Sequence, residues 1–114
     1  MGDLGEGLSG YHKQGFCSFH TPGHKGRQEF FDGLDFPGFD LTELPGLDVL
    51  HAPRSIIARA LHKAAEVFGA EETFFLVNGG TVGNQAMFLS LENSADKPVL
   101  LERNSHRSVM SGLV

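Results

Sequence analysis

The fold prediction depends on residues 73–84, which read TFFLVNGGTVGN. Residues 73–77 form a short apolar run rich in β-branched and aromatic side chains, which is typical of a strand buried on both faces of a parallel sheet. Residues 78–84 contain three glycines and two asparagines, a composition that indicates a tight turn. A helical pattern resumes from Gln85 to Glu92. We therefore predict a strand, a glycine-rich turn and a helix in this order.

The segment before this stretch predicts an amphipathic helix over residues 53–68. Pro53 suits the first helical turn, where its missing N–H costs nothing. Gly69 suits the left-handed residue that ends a helix. The apolar side chains recur at the i, i+3, i+4, i+7 spacing of one helix face, at Ile56, Ile57, Ala60, Leu61, Ala64, Ala65 and Phe68.

The segment after this stretch predicts a turn over residues 93–98 and a second buried strand over residues 99–101. About 22 residues separate the two strands, which suits a right-handed crossover and is too many for a hairpin. Asn104 and Ser105 are typical caps for a helix that begins near His106. The predicted fold class is α/β, with one β-α-β unit of a mainly parallel sheet.

The first part of the chain, residues 1–52, is expected to be an irregular N-terminal arm. Glycines recur every few residues, four of the five prolines lie at or before Pro53, and no helical period persists beyond about a turn. Long segments without secondary structure are uncommon in a self-contained domain. We therefore expect the arm to pack on the rest of a larger protein or on a second subunit. Two parallel strands with one crossover leave sheet edges open and bury little core, so we expect residues 53–114 to be the start of a larger, truncated domain.

Composition excludes several classes of protein. The chain has 114 residues, is 40% hydrophobic and carries a net charge of −5, values of an ordinary globular domain. No basic cluster is available for nucleic acid, because phosphate binding needs grouped cations. The single Cys17 excludes an internal disulfide, and no apolar stretch is long enough for a membrane span. The first residues lack the pattern of a signal peptide, so we expect a cytoplasmic protein.

Two places in the predicted α/β unit can carry chemistry. In residues 78–84 the glycines let an anion approach unpaired backbone N–H groups, and Thr81 adds a hydroxyl; close packing is the alternative reason for these glycines. His106 follows the second strand, so it lies at the same rim of the predicted sheet as Thr81. It can stack on a flat ligand or transfer a proton, or it can be an ordinary surface histidine.

A third segment, residues 20–26, reads HTPGHKG and is dense in polar groups. Together with Cys17 it gives the spacing Cys-x2-His-x3-His. Structural zinc sites use two paired clusters and four ligands, whereas this chain offers one cluster. We predict no metal site here, and regard a loop held by Pro22 and Gly23 as the simpler interpretation.

Four segments together resemble one family of enzymes. They are residues 20–26, residues 40–48 (DLTELPGLD), residues 74–84 and residues 103–108 (RNSHRS), in the same order. The chain is identified from them as similar to the ornithine/lysine/arginine decarboxylases, which are pyridoxal-phosphate (PLP) enzymes with the aspartate-aminotransferase-like fold. Because few residues precede the first segment, it resembles the shorter bacterial type without an N-terminal wing domain.

The resemblance implies roles for particular residues. Gly80, Thr81 and Val82 correspond to the turn that holds the cofactor phosphate, and His106 corresponds to the catalytic histidine that stacks over the pyridine ring. It also implies a basic amino acid as substrate, polyamine metabolism as context and a homo-oligomer with active sites at dimer interfaces. The segment from His20 to Lys25 is expected near the active-site cleft.

The sequence departs from the family pattern in two respects. Gly80 and Val82 stand where family members usually have serine or threonine. The lysine that forms the Schiff base and the aspartate that pairs with the pyridinium nitrogen lie downstream in the family, and the lysines of this chain match neither motif nor position. We therefore expect a fragment without decarboxylase activity of its own. The alternatives are a non-catalytic truncated chain that associates with a full-length relative, and another PLP enzyme of this fold such as an aminotransferase or desulfurase.

Overall fold

The computed structural model describes residues 3–32, 36–91 and 97–113. The chain divides into two compact units, Met1–Phe74 and Phe75–Val114. The first unit contains helix α1 (Asp3–Lys13), two short 3₁₀ turns (Gln28–Phe30 and Phe36–Gly38) and helix α2 (Ile56–Phe68). The second unit contains helix α3 (Gly79–Leu89) and helix α4 (Arg107–Ser111).

Helix α2 confirms the amphipathic pattern that predicted it. Ile56 and Ala65 are buried on its inner face. The helix ends at Gly69, whose φ of 66° is in the left-handed region as predicted. It begins at Ile56 after Ser55, so the prediction that Pro53 occupies the first turn is wrong. Phe68, assigned to the apolar stripe, is 80% exposed.

Helix α1 corrects the expectation that the N-terminal arm is irregular. Its sequence contains three glycines, which disfavour an isolated helix. Packing against α2 compensates, because Gly7 leaves so little room that a Cβ there would lie 3.0 Å from Ile56 Cδ1. Ion pairs from Asp3 to Arg59 and Lys63 join the same two helices. The stability of this helix therefore depends on tertiary contacts, which the local spacing of apolar residues does not reveal.

The second unit is built from α3 and α4. Helix α3 begins at Gly79, so the glycine-rich segment predicted as a turn forms the first turns of the helix itself. Position 83 requires glycine in this helix, because a Cβ there would lie only 2.8 Å from Leu76 Cδ1, which is too close for two carbon atoms. Helix α4 begins at Arg107 with His106 as its N-cap, close to the predicted start. The predicted turn over residues 93–98 lies outside the described residues at 93–96.

The predicted α/β class is wrong for this structure. Across residues 3–32, 36–91 and 97–113 there are helices and turns but no β-strand. The segments predicted as buried strands, 73–77 and 99–101, form no ladder, and Val77 and Leu100 are 75% and 93% exposed. A parallel strand exists only by pairing with neighbours on its edges, and these segments find no partner among the described residues. The boundary at residue 52 stays a prediction.

No helix in the described part of the chain combines the length and apolar character needed to cross a membrane.

Candidate functional site

The first turn of α3 holds the three residues predicted to bind phosphate. Gly80 and Thr81 are exposed and Val82 is half-buried. The first four N–H groups of an α-helix have no acceptor within the helix, and they lie at its positive end. The N-cap residue Asn78 makes no side-chain hydrogen bond to them. This turn therefore presents backbone donors that a phosphate group can accept from.

His106 lies at the N-cap of α4, in the same unit. Its ring atom Nδ1 accepts the backbone N–H of Ser108 at 3.2 Å. The residue is exposed, so the anchored nitrogen leaves ring surface open to a ligand. The arrangement suits a histidine that stacks on a flat group while its other edge stays fixed to the helix.

A hydrogen bond joins the two helices that hold these residues. Asn84 Nδ2 donates to Ser108 Oγ at 2.6 Å, and Ser108 Oγ lies 2.8 Å from His106 Nδ1. Ser108 is 4% exposed, so this contact is shielded from water. Asn84 is about one helical turn, ~6 Å along the axis, beyond Gly80. The structure thus connects α3, shortly after the turn predicted to bind phosphate, to the histidine.

Asn84 and Ser108 were not recognised as site residues from the sequence alone. Both lie inside segments quoted for the family resemblance, residues 74–84 and 103–108. The signal that could have found them is a pair of short polar side chains, one near the start of the predicted crossover and one after the second predicted strand. Nothing in the sequence indicates that they meet, because 24 positions separate them.

The polar segment 20–26 forms a second cluster, in the first unit. His20 Nε2 lies 3.1 Å from the Tyr11 hydroxyl and 3.2 Å from Ser18 Oγ, and the Lys25 ammonium group donates to the His20 carbonyl oxygen. His24 Nε2 lies 3.1 Å from Asp40 Oδ2. A cavity of about 320 Å³ is lined by Tyr11, Ser18, His20, Lys25 and Asp40 among others.

The tautomer of His24 follows from its partners. Its Nδ1 accepts the backbone N–H of Gly26 at 3.0 Å, so in the neutral ring the proton is on Nε2 and is donated to Asp40. Both nitrogens are therefore engaged within the loop. These hydrogen bonds hold the loop in one conformation. The expectation that the segment lies near the active-site cleft stays a prediction.

The residues of the second unit fit the phosphate and ring of PLP. The α3 turn offers backbone donors and the Thr81 hydroxyl, and a Cβ built on Gly80 meets no atom within 4 Å, so the space beside the turn is open. His106 offers an exposed ring. The absence of side-chain hydroxyls at Gly80 and Val82 removes two possible hydrogen bonds, each worth ~1 kcal/mol. The backbone donors remain.

Comparison with known proteins identifies the family to which these motifs correspond. The family model described as "Orn/Lys/Arg decarboxylase, major domain" matches residues 3–114. This match covers the first unit, the α3 turn and His106 alike. No solved structure matches the chain.

Individual relatives are similar to this chain over most of its length. An uncharacterized protein of Bacillus subtilis, YaaO, is 46% identical over 97 residues, covering 81% of this chain and 20% of the relative. An arginine decarboxylase of Bacillus subtilis is 40% identical over 102 residues, covering 84% and 21%. The lysine decarboxylase LdcA of Pseudomonas aeruginosa is 32% identical over 109 residues, covering 85% and 14%. The chain spans about a fifth of the length of the first of these relatives.

Proposed function

We propose, from the premise that this chain belongs to the Orn/Lys/Arg decarboxylase family, that it forms part of a PLP-dependent decarboxylase of a basic amino acid. The observation that carries the proposal is the open first turn of α3 linked to His106 through Asn84 and Ser108. The substrate class is arginine, lysine or ornithine, and the product is the corresponding amine of polyamine metabolism. A cytoplasmic location belongs to the same proposal.

The chain's own residues would bind and orient the cofactor. The N–H groups of Gly80, Thr81 and Val82 would hold its phosphate at the positive end of α3. His106 would cover one face of the pyridine ring and exclude water from it. PLP, when bound, supplies the electron sink that accepts the electron pair of the broken bond to the carboxylate. Binding and orientation at these positions are what this part of the enzyme would contribute.

Substitutions at Gly80 test the phosphate assignment. Because the space around Gly80 is open, Gly80→Asp fits without a clash. A carboxylate in the first turn of a helix stabilises the helix, so folding is preserved while the negative charge repels phosphate. Gly80→Asn is the matched control, since it has nearly the same shape without the charge.

The readout is the dissociation constant of PLP, measured by equilibrium dialysis with the absorbance of PLP. We expect Gly80→Asp to weaken PLP binding about tenfold relative to Gly80→Asn, because repulsion between a carboxylate and a phosphate close to a protein surface is worth ~1–4 kcal/mol and a tenfold change in affinity corresponds to ~1.4 kcal/mol. Equal dissociation constants for the two variants would overturn the phosphate assignment. Unchanged circular dichroism establishes that both variants fold.

Association with a full-length relative or with a second copy is the second candidate. It is favoured by the exposed apolar side chains of the second unit, since contiguous exposed apolar surface is typical of an interface. Light scattering coupled to gel filtration tests it: a monomer at all protein concentrations would contradict it. The side chains concerned are Phe75, Leu76, Val77, Val99 and Leu100.

A further inference from the structure

The contacts of Ser108 determine which nitrogen of His106 carries the proton. Two groups of Ser108 lie within hydrogen-bond distance of Nδ1: the backbone N–H, which donates at 3.2 Å, and the hydroxyl oxygen at 2.8 Å. A backbone N–H only donates, so Nδ1 must be an acceptor. In a neutral imidazole the proton is then on Nε2.

Asn84 determines the direction of the Ser108 hydroxyl. The nitrogen Nδ2 of its amide only donates, and it lies 2.6 Å from Ser108 Oγ. Oγ therefore accepts from Asn84 and has its single proton left to donate to His106 Nδ1. Since Ser108 is buried, water does not compete for this proton, and the chain from Asn84 through Ser108 to His106 runs in one direction.

We propose that Ser108, oriented by Asn84, is a positioning residue that holds His106 as the Nε2–H tautomer and fixes the plane of its ring. The exposed edge of the ring then presents an N–H donor, and its face keeps one orientation for stacking. The inference rests on the proposed function in one respect: that function identifies the ligand that the ring faces as the cofactor with its substrate. The tautomer itself is a property of this chain.

The direct test is a long-range ¹H–¹⁵N correlation spectrum of the full chain with labelled histidine, at a pH of about 8 where imidazoles are neutral. The chain has six histidines, and loss of signals in His106→Gln assigns those of His106. We expect a bare Nδ1 and a protonated Nε2. A protonated Nδ1 would overturn the proposal.

Asn84→Asp is the sharpest variant, because it changes one nitrogen to an oxygen. A carboxylate only accepts, so the Ser108 hydroxyl turns to donate to residue 84 and offers His106 Nδ1 a lone pair, which leaves the backbone N–H of Ser108 as the one remaining Ser108 donor to Nδ1. We expect the Nε2–H population of His106 to fall. Asn78→Asp is the matched control: it adds the same charge to the same helix, at a residue with no side-chain cap bond, and should leave the tautomer unchanged. An identical response of the two variants would contradict the proposal.

Binding of PLP separates a positioning role from a purely structural one. Ser108→Ala removes the hydroxyl, while Ser108→Thr keeps it, so we expect PLP binding to weaken about fivefold in the alanine variant and to recover in the threonine variant. Equal losses in both would mean that packing, not the hydroxyl, matters. If the tautomer is as expected but PLP does not bind, the proposed function fails and the positioning role stands. If PLP binds while Nδ1 is protonated, the positioning role fails and the proposed function stands.

Discussion

Asp48 Oδ2 lies 2.7 Å from the backbone nitrogen of Ser55, seven residues further along the chain. The same oxygen also accepts the N–H groups of Ile57 and Ala58. The Ser55 side chain makes no cap bond of its own. Asp48, from the loop that precedes the helix, thus does for α2 what an N-cap side chain usually does.

The first prediction concerns the charge of Asp48. Its backbone has a φ of 75°, a region that aspartate and asparagine tolerate better than other residues, so Asp48→Asn changes the carboxylate without adding backbone strain. The amide keeps one acceptor oxygen and turns an NH₂ group toward the helix N–H groups. We expect the melting temperature to fall by about 5 °C, measured by circular dichroism.

The control for this variant is Glu71→Gln, the same chemical change at an exposed residue outside the helices. Its melting temperature should stay close to that of the unsubstituted chain. Equal melting temperatures of Asp48→Asn and Glu71→Gln would mean that the capping bonds of Asp48 contribute nothing to stability.

The second prediction is a pH dependence from the same carboxylate. Desolvation raises the pKa of Asp48. Hydrogen bonds from four backbone N–H groups outweigh this effect and hold the pKa well below its usual value of 3.8. The donors are the backbone N–H groups of Arg54, Ser55, Val49 and Ala58. A depressed pKa in the folded state stabilises the protein above the unfolded value, and this contribution is lost as the pH falls below it.

The measurement is the melting temperature between about pH 6 and about pH 3. The difference between the unsubstituted chain and Asp48→Asn should shrink as the pH falls through that range. A difference that stays constant would show that the ionised form is not preferentially stabilised by folding.

The third prediction concerns the close contact of α4 with α3. Gly112 has a φ of −83°, which alanine adopts freely, yet a Cβ there would lie 2.6 Å from Phe88 Cδ2. Gly112→Ala must displace the Phe88 ring, and we expect it to destabilise the second unit by ~1–3 kcal/mol. Denaturant titration measures this.

Gly10→Ala gives the contrasting result for that experiment. A Cβ at Gly10 meets nothing within 4 Å, and the residue lies inside α1, so alanine should stabilise the chain by ~0.5–1 kcal/mol. The steric account of Gly112 fails if both alanines change the stability in the same direction.

The fourth prediction is that the 114-residue chain alone releases no CO₂ from arginine, lysine or ornithine in the presence of PLP. Two of its lysines already serve other contacts: Lys25 donates to the His20 carbonyl and Lys63 lies 3.2 Å from Asp3. Trapping of labelled CO₂ measures the activity, with a full-length relative as positive control. Release above the rate of PLP without protein would contradict this prediction.

Helix α2 illustrates how much of the fold could be predicted. Its apolar period and its end at Gly69 were correct, because both depend on residues within a few positions of each other. Its start at Ile56 was missed, since the capping carboxylate comes from Asp48. Helix α1 was missed for the same reason: its glycines predict a loop, and its contacts with Ile56 and Arg59 are distant in sequence.

The strands were wrong for a related reason. Apolar composition predicted residues 73–77 as buried, but burial requires neighbouring strands, which a local pattern cannot supply. For the candidate site, the motifs that contain Gly80, Thr81, Val82 and His106 could be recognised from the sequence. The two residues that link them, Asn84 and Ser108, were not recognised.

The sequence by itself determined the family, because four short motifs in fixed order carry that information without reference to their position in space. It also determined the period and end of α2. Only the tertiary structure decided that Asn84 meets Ser108, and that Ser108 in turn orients His106. A hydrogen bond depends on distances within about 3 Å, and those are set by how helices far apart in the sequence pack.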